Sequence, residues 1–336
     1  MRTLAETALA LVDSGRGILA ADESIATMSQ RLTAEGIAPT EDNRRRYREL
    51  LLTPRDLSTM VSGIILCDET LRQHVATVDG DVPFPHAAMR RGILPGIKVD
   101  TGTTPLAFGY GASVTEGLDG LRDRLAEYAE LGAAFAKWRA VIDVKTATEH
   151  SIEVNAQALA RYAGLCQEQG IVPIVEPEVL CAGTHDIVRC EEVTDRTLAA
   201  VFAQLRLQKV ELEAMVLKPN LVTSGTEGPE ASPSQVAEAT LRVLERHVPS
   251  TVPGIAFLSG GHDNATACRF LAALNGIAVD APWRLTYSFG RALVSDALHA
   301  WDGEDANLSA AQATLLANCA RAAAAVKGVE PAPAST

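Results

Sequence analysis

The chain has 336 residues, 47% hydrophobic and 21% charged, with a formal net charge of −12. That length buries a large core and fits either two domains or one large α/β barrel. The acidic balance excludes a surface built for nucleic acid or anionic membrane, so contacts to an anionic substrate must be concentrated locally.

The first segment, "MRTLAETALALVDSGRG", is amphipathic, is interrupted by Glu6 and lacks the continuous apolar core of a signal peptide. No run approaches the roughly 20 apolar residues needed to cross a bilayer. Six cysteines (Cys67, Cys166, Cys181, Cys190, Cys268 and Cys319) are scattered without a CxxC pair. They read as buried free thiols in a reducing compartment, and the expected location is the cytoplasm.

Along the chain, short apolar runs alternate with longer helix-like ones. The predicted strands are "GILAADES", "VSGIILCDE", "GIKVD", "FAKWRAVI", "IVPIVEPEV", "AMVLKPN", "GIAFLSGG" and "RLTYSFGR". Between them, segments such as "DGLRDRLAEYAEL", "EHSIEVNAQALARYAGLCQEQG" and "VTDRTLAAVFAQLR" have helical spacing. A helix near 233 carries Ser232 as N-cap, Pro233 in its first turn and Gln235 as capping-box partner. "TSGTEGPEASPS" reads as a surface loop, "NLSAAQATLLANCARAAAAV" as a last helix and "EPAPAST" as a disordered tail.

Continuous apolar runs mark strands buried on both faces, as in a parallel sheet covered by helices. Each run ends on or just beyond a polar residue: Asp22, Glu69, Lys98, Lys137, Glu176, Lys218, Ser259 and Arg291, at spacings of 29 to 47 residues. Eight such units without a linker favour an α/β fold of the TIM (β/α)8 type over a doubly wound sheet. The expected organisation is one barrel domain over residues 1–328, with an extra N-terminal and C-terminal helix and a short disordered tail at 329–336. The polar residues at the carboxyl ends of different strands then converge on one mouth.

Three of them are lysines. Lys98, Lys137 and Lys218 each read equally well as a snorkelling side chain at a strand end. Packed around one mouth they depress one another's pKa, which makes an amine nucleophilic toward a carbonyl. Lys218, after the apolar "AMVL" and before Pro219, is the best nucleophile. Glu176 and Glu178, two apart in "IVEPEV", point the same way on a regular strand and serve proton transfer, or one of them sits solvated at the rim. Asp22 is either a third acid of the mouth or the cap of a helix starting near Ser24. "FLSGGHD" and "YSFGRAL" each end a strand on glycine before a helix, where backbone N–H groups and Arg291 suit a phosphate. Ser24, Thr27 and Arg31, with Lys98, form a second cationic cluster, so two anion sites imply a substrate phosphorylated at both ends. There is no HxH, HExxH or Cys/His metal spacing, no Walker loop, no suitably placed GxGxxG and no GxSxG elbow. Metal-free lysine chemistry is what remains.

The segments "ILAADES", "GIKVD", "GLDGL", "FAKWR", "VEPEVL", "LKPNLVTSG", "FLSGG", "PWRLTYSFGRAL" and "AAQATLLANCARA" closely resemble class I fructose-1,6-bisphosphate aldolase of the animal and plant type, in colinear order over nearly the whole chain. The resemblance implies a metal-independent lyase without a cofactor, usually a cytosolic homotetramer, that cleaves a sugar phosphate. It implies Lys218 as Schiff-base lysine, Glu176 as acid/base of carbinolamine formation and dehydration, Asp22 as acceptor of the C4 hydroxyl proton and Lys137 as an aid to proton transfer. Arg139 and Glu178 fall among substrate contacts. Ser259, Gly260, Gly261, Ser288, Gly290 and Arg291 match the C1-phosphate site. Ser24, Thr27, Arg31 and Lys98 lie near the other phosphate, and Arg44 in "NRRRY" matches a further substrate contact.

Departures exist. "ADESIATMSQRL" stands where the family usually reads "ADESTGSIAKRL", Thr101 replaces a frequent lysine, and no tyrosine follows Tyr287. The alternatives are the same mechanism on sedoheptulose 1,7-bisphosphate or fructose 1-phosphate, a non-catalytic scaffold role, or a metal-dependent aldolase.

Overall fold

Eight parallel strands pair in chain order and close on themselves. They are β1 (Gly17–Ala21), β2 (Val61–Leu66), β3 (Leu94–Lys98), β4 (Phe135–Ile142), β5 (Val172–Val179), β6 (Val216–Leu217), β7 (Gly254–Phe257) and β8 (Arg284–Phe289). β8 returns to β1, with Ile18 opposite Ser288. The computed structural model describes residues 2–13, 15–76 and 80–330. Seven strands fall inside their predicted apolar runs, while β3 starts at Leu94, two residues before "GIKVD"; closure rules out the doubly wound alternative. Most of these strands are buried along their whole length, which is why they lack the alternation of a half-exposed sheet.

Two apolar regions hold the barrel. One fills its inside: Ile18, Ile65, Phe135, Val172, Ile174, Val216 and Ala256 pack against Ala8, Leu11 and Val12 of α1 (Leu4–Val12). Thr3 and Glu6 form a capping box at the start of α1, which satisfies backbone donors that would otherwise be left open. Glu6, which breaks the apolar run, is therefore a capping residue. α1 lies near the amino ends of the strands, where Ser62 donates to the Leu11 carbonyl at 2.5 Å. Phe135 fills the space left by two glycines: a Cβ on Gly96 would meet its ring at 2.2 Å, and one on Gly63 would approach it to 3.1 Å. The amino-terminal end is thus closed, and the carboxyl end is the open one. The larger apolar region lies between the barrel wall and the surrounding helices.

The helix Pro233–His247 starts as read, with Ser232 and Gln235 exchanging hydrogen bonds around Pro233. The last helix spans Leu308–Val326. The tail predicted at 329–336 falls largely on residues 331–336, outside the described residues. All six cysteines are free and buried. Among the described residues no helix is long and apolar enough to cross a membrane.

Two expectations change. β4 and β5 run on to Ile142 and Val179, so Lys137 and Glu176 lie within their strands rather than at the ends. Two short antiparallel pairs, one joining Gly102–Pro105 to Ser113–Glu116, are additions to the barrel that periodicity did not reveal. Segments of two to four residues are too short for an alternation to be read.

Candidate active site

Lys137 and Glu176 come from adjacent strands whose register sets Arg139 beside Glu176 and Val141 beside Glu178. Side chains two apart on a strand share a face, so Lys137 and Arg139, like Glu176 and Glu178, line the same open mouth. Pro177 does not disturb β5, because it pairs with Ala140 in an unbroken parallel register. β6 stops at Leu217; the Lys218 N–H donates to the Val175 carbonyl at 2.8 Å, and the Pro219 carbonyl accepts from Leu258 at 3.1 Å. These bonds anchor the backbone on either side of the amine.

The mouth encloses a cavity of about 500 Å³. Asp22, Ser24, Thr27, Arg31, Lys98, Lys137, Arg139, Glu176, Glu178, Lys218, Ser259, Gly260, Gly261, Ser288, Gly290 and Arg291 all line it. One predicted residue does not. Arg44 grips Glu69 with Nε and Nη2 at 2.8 and 2.6 Å and donates Nη1 to the Pro39 carbonyl, away from the cavity. Glu69 itself, read as a polar end of β2, lies in the short helix Asp68–Arg72 and faces this arginine. A bidentate pair with a carboxylate uses up the guanidinium that a substrate contact would need.

At the centre, Lys218 Nζ lies 3.0 Å from Glu176 Oε1. Lys137 Nζ lies 2.8 Å from Asp22 Oδ2 and 3.3 Å from Glu176 Oε2. Lys137, Glu176 and Lys218 are each no more than 4% exposed. Glu176 Oε2 is buried without a hydrogen-bond partner; its contact with Lys137 is one of charge and distance. A carboxylate oxygen left uncommitted beside two amines is placed to exchange protons.

Burial works against the charge on Asp22, Glu176 and Lys137, and their neighbours outweigh it. Burial would raise the Asp22 pKa, but Lys137 and Lys218 hold it down to about 2. Burial also opposes the charge on Glu176, yet the same two lysines keep its pKa below the ordinary value. Lys137 corrects the expectation that the lysines depress one another. Burial would lower its pKa, but Asp22 and Glu176 raise it above the ordinary lysine value, so it stays an ammonium.

The two ends of the cavity differ. At one, Gly260 and Gly261 adopt φ of +61° and +92°, which only glycine takes without strain, and turn toward Arg291. Ser288 Oγ is buried there with no hydrogen-bond partner. Arg291 has no ion pair among the described residues, and the Cys181 thiol donates to the Gly260 carbonyl. Bare N–H groups, an open hydroxyl and a free guanidinium suit a phosphate. At the other end, Ser24 caps α2 (Ile25–Ala34), so Asp22 is not the cap. Its hydroxyl lies 3.0 Å from that of Thr27. Arg31 pairs with Glu23, and Lys98 pairs with Asp100 while donating to the Asp100 carbonyl at 2.7 Å.

Three participants were missed in the sequence: Glu23, Asp100 and Arg48, the last buried beneath Glu23. Asp100 stands two residues beyond Lys98 in "KVD", a spacing that puts both on one face, and it also accepts from the Arg139 N–H at 3.3 Å. That spacing was a usable signal; nothing local marks Arg48.

A family model described as "Fructose-bisphosphate aldolase class-I" matches residues 3–334. "Fructose-bisphosphate aldolase 5, cytosolic" of Arabidopsis thaliana is 48% identical over 318 residues, covering 94% of this chain and 88% of its own. "Probable fructose-bisphosphate aldolase class 1" of Xylella fastidiosa is 52% identical over 301 residues, 89% of each chain. A solved structure of fructose-bisphosphate aldolase from Plasmodium falciparum, in complex with TRAP and a small-molecule inhibitor, superposes with a TM-score of 0.94 at 41% identity, over 98% of this chain and 95% of that one. With a barrel closed at one end, buried lysines meeting carboxylates at the other, and such likeness along almost its full length, the chain belongs to the class-I fructose-bisphosphate aldolase family.

Proposed function

We propose that this lyase cleaves fructose 1,6-bisphosphate with Lys218 as its Schiff-base nucleophile. The observation that carries the reading is the 3.0 Å approach of Lys218 to Glu176 within a buried group that also holds Lys137 and Asp22. Glu176 takes a proton from Lys218 across that 3.0 Å contact, and the free amine then attacks the C2 carbonyl of the open-chain ketose. Glu176 protonates the carbinolamine oxygen, water leaves, and the iminium forms. Asp22 takes the proton of the C4 hydroxyl. The C3–C4 bond breaks, its electron pair moves into the iminium to give an enamine, and glyceraldehyde 3-phosphate departs. Protonation of the enamine at C3 and hydrolysis return the amine and release dihydroxyacetone phosphate. Lys137 stays charged throughout and stabilises the negative charge that passes between Asp22 and Glu176.

The C1 phosphate sits at Ser259, Gly260, Gly261, Ser288, Gly290 and Arg291. The other phosphate lies toward Ser24, Thr27, Arg31 and Lys98, with Arg139 and Glu178 along the sugar. The class works through a lysine rather than a metal or other cofactor, and the chelator arm below addresses this chain directly. Barrel residues 1–328 form the active unit. A homo-oligomer, tetrameric by family resemblance, and a cytoplasmic location complete the reading, supported by the word "cytosolic" in the name of the Arabidopsis relative.

The test is cleavage of fructose 1,6-bisphosphate in the presence of EDTA, followed through both triose phosphates. Undiminished turnover supports the reading. No cleavage, or activity that chelation removes and metal restores, overturns it.

A further inference from the structure

Arg48 is a costly residue where it sits. It belongs to α3 (Glu41–Leu52), is 2% exposed, and lies outside the cavity. Its Nη1 donates to Glu23 Oε2 at 2.7 Å, and its Nη2 donates to the Glu23 backbone carbonyl at 3.2 Å. The guanidinium carbon stands 5.7 Å from the centre of the Tyr47 ring. A buried ion pair seldom adds net stability over apolar packing, so its presence calls for another reason.

The reason lies on the other side of Glu23. Its second carboxylate oxygen holds Arg31, which lines the cavity and also reaches Ser295 Oγ at 3.2 Å. One carboxylate is therefore shared by two guanidiniums, and the trio carries a net charge of +1. Without Arg48, Glu23 and Arg31 would neutralise each other, and a phosphate would have to displace a carboxylate that has no other cation. With it, Glu23 keeps a partner when Arg31 turns to the substrate. The bond to the Glu23 carbonyl also fixes the backbone between Asp22 and Ser24.

We infer that Arg48 is a positioning residue for the far phosphate of the sugar, acting through Glu23 to keep Arg31 available to an anion. This rests on the proposed placement of that phosphate near Ser24, Thr27 and Arg31. Substrate that carries a phosphate only on C1 does not use this corner, which separates the inference from a general structural role.

The experiment compares kcat/KM for fructose 1,6-bisphosphate and fructose 1-phosphate in the intact enzyme and in Arg48→Met. The expected result is a fall of about tenfold in the bisphosphate-to-monophosphate ratio, carried by KM for the bisphosphate, the scale of one charge-assisted hydrogen bond. Adding Glu23→Gln to Arg48→Met restores the +1 charge and should recover most of the ratio. Arg48→Lys, which keeps the charge in a gentler change, should lie between and serves alone if the methionine variant does not fold. A ratio unchanged in Arg48→Met, or in Arg48→Lys where only that variant folds, overturns the inference; so does a double variant worse than the single one. The unaltered enzyme's cleavage of either ketose tests the proposed function separately, because that activity does not depend on the ratio.

Discussion

Lys137 stands between two acids, 2.8 Å from Asp22 and 3.3 Å from Glu176, while Lys218 meets Glu176 from the other side at 3.0 Å. The order is acid, lysine, acid, lysine. A group this buried persists because each charge has an opposite neighbour, and removing one member leaves the rest uncompensated. The arrangement gives two lysines different duties: one is locked as a cation between carboxylates, and the other has a single carboxylate beside it.

Replacing Glu176 by Gln removes the proton donor but keeps the shape of the side chain. General acid–base catalysis contributes roughly 10²- to 10⁴-fold, so kcat should fall within that range. Pre-steady-state measurement of iminium formation should show the loss in that step. A Glu176→Gln variant with wild-type kcat would remove Glu176 from the chemistry.

Arg291 is the cation of the C1-phosphate end that has no ion pair among the described residues. Hydrogen bonds to charged groups contribute about 1.5–3 kcal/mol, so Arg291→Met should raise KM for both the bisphosphate and fructose 1-phosphate by roughly one to two orders of magnitude. Steady-state kinetics on the two substrates checks this. An effect confined to the bisphosphate would place Arg291 at the opposite end.

Asp22 links the site to acid stability. Its folded pKa of about 2 lies below the ordinary 3.8, so it contributes stability above pH 3.8 that is lost as the pH falls through 2. The contribution is about 2 kcal/mol, at roughly 1.36 kcal/mol per pKa unit. Urea unfolding between pH 5 and 2 should therefore show a shallower loss for Asp22→Asn than for the unaltered protein. Parallel curves would mean that Asp22 is not held low in the folded state.

The closed end of the barrel makes its own prediction. Gly96→Ala would press a methyl against the Phe135 ring, where the added carbon has 2.2 Å of room. Overpacking costs about 1–3 kcal/mol, so the variant should unfold at lower urea with kcat nearly kept, because Phe135 starts β4 at the end opposite the mouth. Equal stability of the two proteins would show that Phe135 moves freely, which a packed barrel interior does not allow.

Much of this was legible in the chain. Strands buried on both faces leave continuous apolar runs, and their carboxyl ends had to meet once there were eight of them, so Lys218, Asp22, Ser259 and Arg291 could be brought together without coordinates. The spacing of Glu176 and Glu178 was enough to orient them. What stayed hidden were pairings across the fold. "NRRRY" does not say that Arg44 is taken by Glu69, nor that Arg48, four residues on, reaches Glu23. The charge on Lys137 was hidden for the same reason: three neighbouring lysines alone repel, but in the barrel carboxylates stand between them. Local pattern fixes which face a side chain takes, and only closure decides what it meets.

The most direct measurement is reduction with borohydride in the presence of fructose 1,6-bisphosphate, followed by peptide mapping. One adduct should appear, on the peptide containing Lys218, and Lys218→Met should abolish both the adduct and cleavage. An adduct on Lys137 or Lys98, or full cleavage by Lys218→Met, would contradict the mechanism.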